Sequence, residues 1–114
     1  MNRITSWALK MAVAAAAFAV VCLLMPPAYP QDSAEKNYMA KCVACHAADG
    51  SGSPVGKKLG VHDFRSADVQ KMSDAELSDI IAKGKNKMPG YEKSLKADEI
   101  KGLVAYIREL AKKK

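Results

Sequence analysis

Cys42-Val43-Ala44-Cys45-His46 constrains this chain more than any other stretch: two cysteines three apart, with a histidine directly behind the second. A disulfide between residues so close would shut too small a loop to restrict the unfolded chain much. As the cross-link of a small domain the pair would therefore add little. Something else must hold such a domain together, and the length of the chain makes the need acute.

The first thirty of the 114 residues are a different material from the rest. Asn2, Arg3 and Lys10 open them, Met11–Met25 runs fifteen residues without a charge, and Pro26-Pro27-Ala28-Tyr29-Pro30 closes them. A basic start, a short apolar run and a helix-breaking boundary describe a secretory signal peptide. The run falls short of the about 20 residues that a spanning helix needs. Residues 1–30 are thus expected to be a leader, and 31–114 a single exported, periplasmic domain. The boundary lacks a clean Ala-x-Ala, so cleavage after Ala28 or Pro30 and retention as an uncleaved anchor are both open. Cys22 follows the bulky Val21 and reads as apolar filler rather than a lipidation site.

Without the leader the chain has 84 residues, 16 basic against 12 acidic, two cysteines, two histidines and three methionines. So short a chain buries a modest share of its surface and usually needs a cross-link, a metal or a large cofactor. Overall, 49% apolar and 26% charged residues exclude intrinsic disorder. Aromatics at 6% are too few for a stacking platform, and no nucleic-acid motif is present, so no nucleic-acid partner is expected.

Three helical patterns span the domain, with no competing strand pattern. The first starts at Asp32-Ser33, either of which could cap it, and carries Ala34, Tyr38, Cys42 and Cys45 at helical spacing. Ala47–Ser66 follows as a long irregular stretch with four glycines and a proline, of the kind that wraps or binds something. Residues 67–72 are expected to form a short helical turn. Ser73 and Glu76 form a capping box ahead of Leu77, Ile80 and Ile81, with Gly84 as the stop. The last helix is Ala97–Lys112, with a stripe of Ile100, Leu103, Val104, Ile107, Leu110 and Ala111. The fold class is all-α.

Cys-x-x-Cys-His is the attachment pattern of c-type haem. On one helical turn both sulfurs reach neighbouring edges of a single macrocycle, and His46 can rise to the iron from the same side. One covalent haem c also answers the size problem, because a large apolar ring fills a core that the chain cannot fill alone. A thioredoxin-like pair wants a βαβ setting, which is missing. A zinc site on Cys42, Cys45, His46 and His62 lacks the usual spaced second pair of ligands.

The sixth iron ligand must come from across the ring. Met39 lies one turn from Cys42 on the proximal helix and reads as core. Met72 precedes a helix cap and reads as a hydrophobic staple. His62, beside Asp63 in the long loop, reads as exposed. Met88 lies 42 residues beyond His46, in a loop shaped by Pro89 and Gly90, and is the expected ligand. His/Met pairing suits electron transfer.

The CVACH motif, the Gly-rich loop with Pro54, the KMPGY loop and the DEIKGLVAYIREL helix resemble the class I cytochromes c, above all the small bacterial and c6-like members. The resemblance covers residues 32–112. It implies three main helices and long loops wrapped around one haem. It further implies that Ala34, where the family often has glycine, and Tyr38 meet the C-terminal helix at Leu103 and Tyr106. Pro54 resembles the loop proline whose carbonyl accepts the ring N–H of the haem-ligating histidine, a bond that would orient His46.

A six-coordinate iron binds no substrate, so the expected function is a periplasmic carrier shuttling single electrons between redox proteins of a respiratory or photosynthetic chain, and not an enzyme. A haem subunit of a larger oxidoreductase complex is the alternative. A haem enzyme or gas sensor would need Met88 off the iron. Lys83, Lys85, Lys87, Lys93 and Lys96 surround Met88, and Lys57-Lys58 lie on the other loop. They either steer an acidic redox partner into place or simply solvate the surface. Membrane contact is expected only through partner complexes, unless the leader stays attached.

Overall fold

The computed structural model describes residues 30–113 together with Trp7, Lys10, Met11 and Ala12, so the expected leader lies almost wholly outside the described residues. Residues 30–113 hold six helices in order: α1 Gln31–Lys41, α2 Val43–His46, α3 Pro54–Lys58, α4 Ala67–Gln70, α5 Asp74–Lys83 and α6 Ala97–Lys112. Among the described residues there is no strand, only an isolated antiparallel bridge between Lys85 and Met88. None of these helices is long and apolar enough to cross a membrane.

The three sequence patterns correspond to α1 with α2, to α5 and to α6. The first is broken at Cys42 (φ −114°, ψ −33°), although the Cys42 N–H still reaches the Tyr38 carbonyl at 2.8 Å. Neither Asp32 nor Ser33 caps α1. Pro30 occupies the N-cap position, and the Ser33 hydroxyl turns back to donate to its carbonyl at 2.8 Å. Ser33 already lies within the helix, one turn inside the N-cap position, so its hydroxyl is not placed to accept from the first free N–H groups.

Helix α3 lies within the stretch expected to be irregular. Ser53 Oγ accepts from the Gly56 N–H at 3.0 Å, and Pro54 takes the first helical position, where its missing N–H costs nothing. The expected box on α5 is present in both directions: Glu76 N–H donates to Ser73 Oγ at 3.1 Å, and Ser73 N–H to Glu76 Oε2 at 2.7 Å. Gly84 ends that helix at φ +81°, in the left-handed region that glycine enters without strain. Glu99 likewise accepts from the Lys96 N–H at 2.8 Å at the start of α6.

The core lies where α1 crosses α6 and α6 meets α5. Tyr38 and Leu103 are sealed at 0% and 1% exposure, and Ile100, Val104, Ile107 and Leu110 of α6 join Leu77 and Ile81 of α5. Burying each of these large aliphatic side chains is worth about 1.5–3 kcal/mol. Ala34 is buried, and the Tyr38 and Tyr106 rings lie 5.1 Å apart, so the expected contact of α1 with α6 is made. Met39 was expected in the core but is 47% exposed. Ala34 and Tyr38, one turn apart, define the buried face of α1, and the next residue along points roughly 100° away from it.

Arg108 of α6 ties this core to the neighbouring helices. Its guanidinium donates to the carbonyls of Gln70 at 3.4 Å and Met72 at 2.6 Å, to Gln70 Oε1 at 3.2 Å and to Asp74 Oδ1 at 2.9 Å.

Candidate haem site

Helix α2 is a single turn whose C-terminal carbonyls all find partners outside it. Ser53 Oγ donates to the Ala44 carbonyl at 2.7 Å, Ser53 N–H to Cys45 at 2.9 Å and Gly52 N–H to His46 at 2.9 Å. The Tyr38 hydroxyl donates to the Ala47 carbonyl at 2.6 Å. The last carbonyls of a helix are normally left to water. Here they fix one turn of backbone rigidly between α1 and α3. Gly56 makes the approach possible, because a Cβ there would overlap the carbonyl oxygen of Cys45.

On this turn stand the residues singled out in the sequence. Cys42 and Cys45 are free thiols, each partly buried. Burial pushes the Cys42 thiol up to about 11, against the opposing pull of Lys41. The His46 ring stacks on Phe64 with centroids 4.7 Å apart and planes 23° apart. Phe64 is held in turn: its carbonyl accepts from Gln70 Nε2 at 2.6 Å, and its ring covers Gly50, where a Cβ would come within 2.6 Å of it.

Burial lowers the His46 pKa below its ordinary value, which favours the neutral imidazole that can offer a lone pair. Its Nδ1 is buried with no hydrogen-bond partner among the described residues. The bond to the Pro54 carbonyl implied by the resemblance is therefore not formed. Pro54 is the first residue of α3, and its carbonyl points along that helix.

Met88 sits in a loop folded back on the end of α5. Lys85 N–H and Met88 carbonyl pair at 3.1 Å, and Met88 N–H and Lys85 carbonyl at 3.0 Å. Tyr91 N–H donates to the Ile81 carbonyl at 2.9 Å, and Glu92 N–H to Ala82 at 3.1 Å. Met88, Tyr91, Cys42 and Met72 all pack, partly buried, against the one apolar core. The Tyr91 hydroxyl crosses to the Lys41 carbonyl at 3.1 Å, next to Cys42. His62 is exposed, as expected of it, and Met72 packs on the core as a staple would.

The family described as cytochrome c oxidase, cbb3-type, subunit III matches residues 30–107. Cytochrome c6 of Anabaena variabilis is 34% identical over 77 residues, covering 63% of this chain and 81% of the relative. The chain belongs to that family, as a small c6-like class I cytochrome c. A c6-like cytochrome of Nostoc sp. (strain PCC 7120) is 27% identical over 82% of this cytochrome and 85% of its own length. Among solved structures, the KustC0563 c-type cytochrome superposes with a TM-score of 0.65 at 32% identity, over 69% of this cytochrome and 98% of that chain.

The all-α cytochrome c fold and covalently bound haem c follow from this membership. The residues present fit the group. Two free thiols and an unpartnered imidazole nitrogen share one clamped turn, and a thioether side chain lies against the same core. Ser53, Gly56, Phe64 and Tyr91 were not singled out for the site from the sequence. Only Ser53-Pro54 carried a readable signal there, the cap followed by proline at the first helical position.

Proposed function

We propose that Cys42 and Cys45 carry haem c through two thioether links, that His46 and Met88 bind its iron, and that the protein is a periplasmic carrier of single electrons. A haem c electron carrier is what the c6 relatives support in general. The observation that carries the finer reading is the clamped α2 turn, which presents both thiols and the imidazole together and leaves Nδ1 without a partner of its own. Haem supplies a one-electron ferric/ferrous couple when bound. The chain's part would be to hold the ring on the clamped turn, to keep water off it with Tyr38, Phe64 and Leu103, and to offer His46 and Met88 to the iron. An iron held by both side chains would leave no place for a substrate. A thioether ligand in a water-poor pocket favours the ferrous form and a relatively high potential.

Docking is assigned to redox proteins with acidic faces. Lys57, Lys58, Lys85 and Lys87 are exposed, and Lys83, though paired with Asp79 at 2.8 Å, is exposed as well. The description of the matching family favours a second reading, a haem subunit within a terminal oxidase. Fractionation separates the two: a carrier is released from the periplasm as a small soluble protein, whereas a subunit stays with a membrane complex.

Visible and near-infrared spectra of the purified holoprotein, with and without carbon monoxide, test the ligation. A low-spin spectrum with a weak sulfur-to-ferric-iron band and no response to carbon monoxide is expected. Met88→Ala should keep covalent haem, lose that band, bind carbon monoxide and lower the potential. An unchanged potential in that variant would sink the ligand assignment.

A further inference from the structure

The methionine loop is fastened to its own side of the molecule far more firmly than to the side that carries the cysteines. Residues 85–95 are bonded back onto α5 through the Ile81 and Ala82 carbonyls, and Leu95 N–H closes onto the Tyr91 carbonyl at 2.8 Å. Among the described residues, the one hydrogen bond between this loop and residues 31–46 is that of Tyr91 Oη with the Lys41 carbonyl, spanning 50 positions. That carbonyl belongs to the last residue of α1, directly before Cys42, where the helix breaks and the acceptor is free for an outside donor. Tyr91 stands three residues after Met88, so the bond sits at the far end of the segment bearing the proposed ligand.

The phenol is equipped to donate. Burial raises its pKa, as do the neighbouring Cys42 and Cys45. Once both sulfurs are thioethers their contribution disappears and burial remains, which still favours the protonated, donating hydroxyl.

We propose that the Tyr91 hydroxyl is a latch that closes the methionine loop onto the haem-attachment helix and so sets how readily Met88 leaves the iron. The proposal rests on the assignment of Met88 as ligand. Tyr91 is a positioning residue: it touches neither iron nor substrate and acts by holding the two halves of the site together. Without the hydroxyl the ring still packs on the core, but the loop can swing on its α5 hinge at lower cost.

Titration of the ferric holoprotein with imidazole, followed by loss of the sulfur-to-iron band, is the test, with Tyr91→Phe compared to the unaltered chain. Loss of one hydrogen bond should tighten apparent imidazole binding about fivefold, equivalent to about 1 kcal/mol. The pH at which the band disappears should fall in parallel. Thermal melting of both proteins is recorded alongside. A lower melting temperature with an unchanged imidazole titration means a merely structural hydroxyl and overturns the latch. If the unaltered protein has no sulfur band at all, the Met88 assignment itself fails. If the band is present and Tyr91→Phe titrates identically, the latch fails while Met88 stands.

Discussion

Gly56 and Gly60 are four residues apart and should respond to alanine for different reasons. At Gly56 the added methyl would overlap the Cys45 carbonyl, so α3 must move off the turn that bears Cys42 and Cys45. Overpacking of this kind typically costs about 1–3 kcal/mol, and the upper end applies where the obstacle is backbone that cannot rotate away. At Gly60 a Cβ meets nothing within 4 Å, but φ is +83°, so only backbone strain of about 1–2 kcal/mol is added. Denaturant unfolding of both variants should rank Gly56→Ala as clearly worse, and it alone should reduce haem incorporation during expression. Residues of these two sorts were unequally visible in the sequence. Cys42, Cys45 and His46 stand out because covalent attachment and ligation demand those residue types at that spacing. Gly56 and Phe64 matter through what they touch in space, the Cys45 carbonyl and the His46 ring, and no local pattern announces such contacts. Met39 is the converse case: its apolar character suggests the core, although Ala34 and Tyr38 already mark the face toward α6 and Met39 lies off it.

Single helices here are held by their ends as much as by their faces. The α5 box can be tested at each member. Ser73→Ala should lower the unfolding free energy by about 1 kcal/mol in a denaturant titration, since the Glu76 N–H loses its acceptor. Glu76 is held below the usual carboxylate range, mainly by the Ser73 backbone N–H and then by its hydroxyl. A carboxyl depressed on folding contributes stability above its unfolded pKa and loses it as pH falls through the folded value. The Ser73→Ala penalty measured near pH 7 should therefore shrink on acidification into the carboxylate range, as the box opens in the parent protein too. Helices α5 and α6 were legible in the sequence because their caps and apolar stripes agree with one another. Helix α3 was not, since Ser53 and Pro54 mark its start but five residues are too few for a stripe to show.

At the scale of the molecule, the contacts that matter join distant parts of the chain. Arg108 fastens α6 to the Gln70–Asp74 segment through two carbonyls, one amide oxygen and one carboxylate. Arg108→Ala should cost about 2 kcal/mol, because carbonyls facing a charge-assisted donor lose their partner. Lysine should rescue little of it, for an ammonium cannot span four acceptors as the planar fork does. A net +4 on residues 31–114 should make electron transfer with an acidic partner slow as salt rises, and Lys85→Gln with Lys87→Gln should flatten that dependence at low ionic strength in stopped-flow measurements. The crossing of α1 with α6 has a consequence in time. Tyr38 of α1 and Tyr106 of α6 are far apart in sequence, so bringing them together closes a long loop, which is slower than forming either helix. Until α6 packs, Tyr38 lacks the neighbours that seal it, Leu103 and Tyr106. On the proposed assignment, a ring attached to Cys42 and Cys45 has that interval in which to settle, and the packing of α6 brings it to an end.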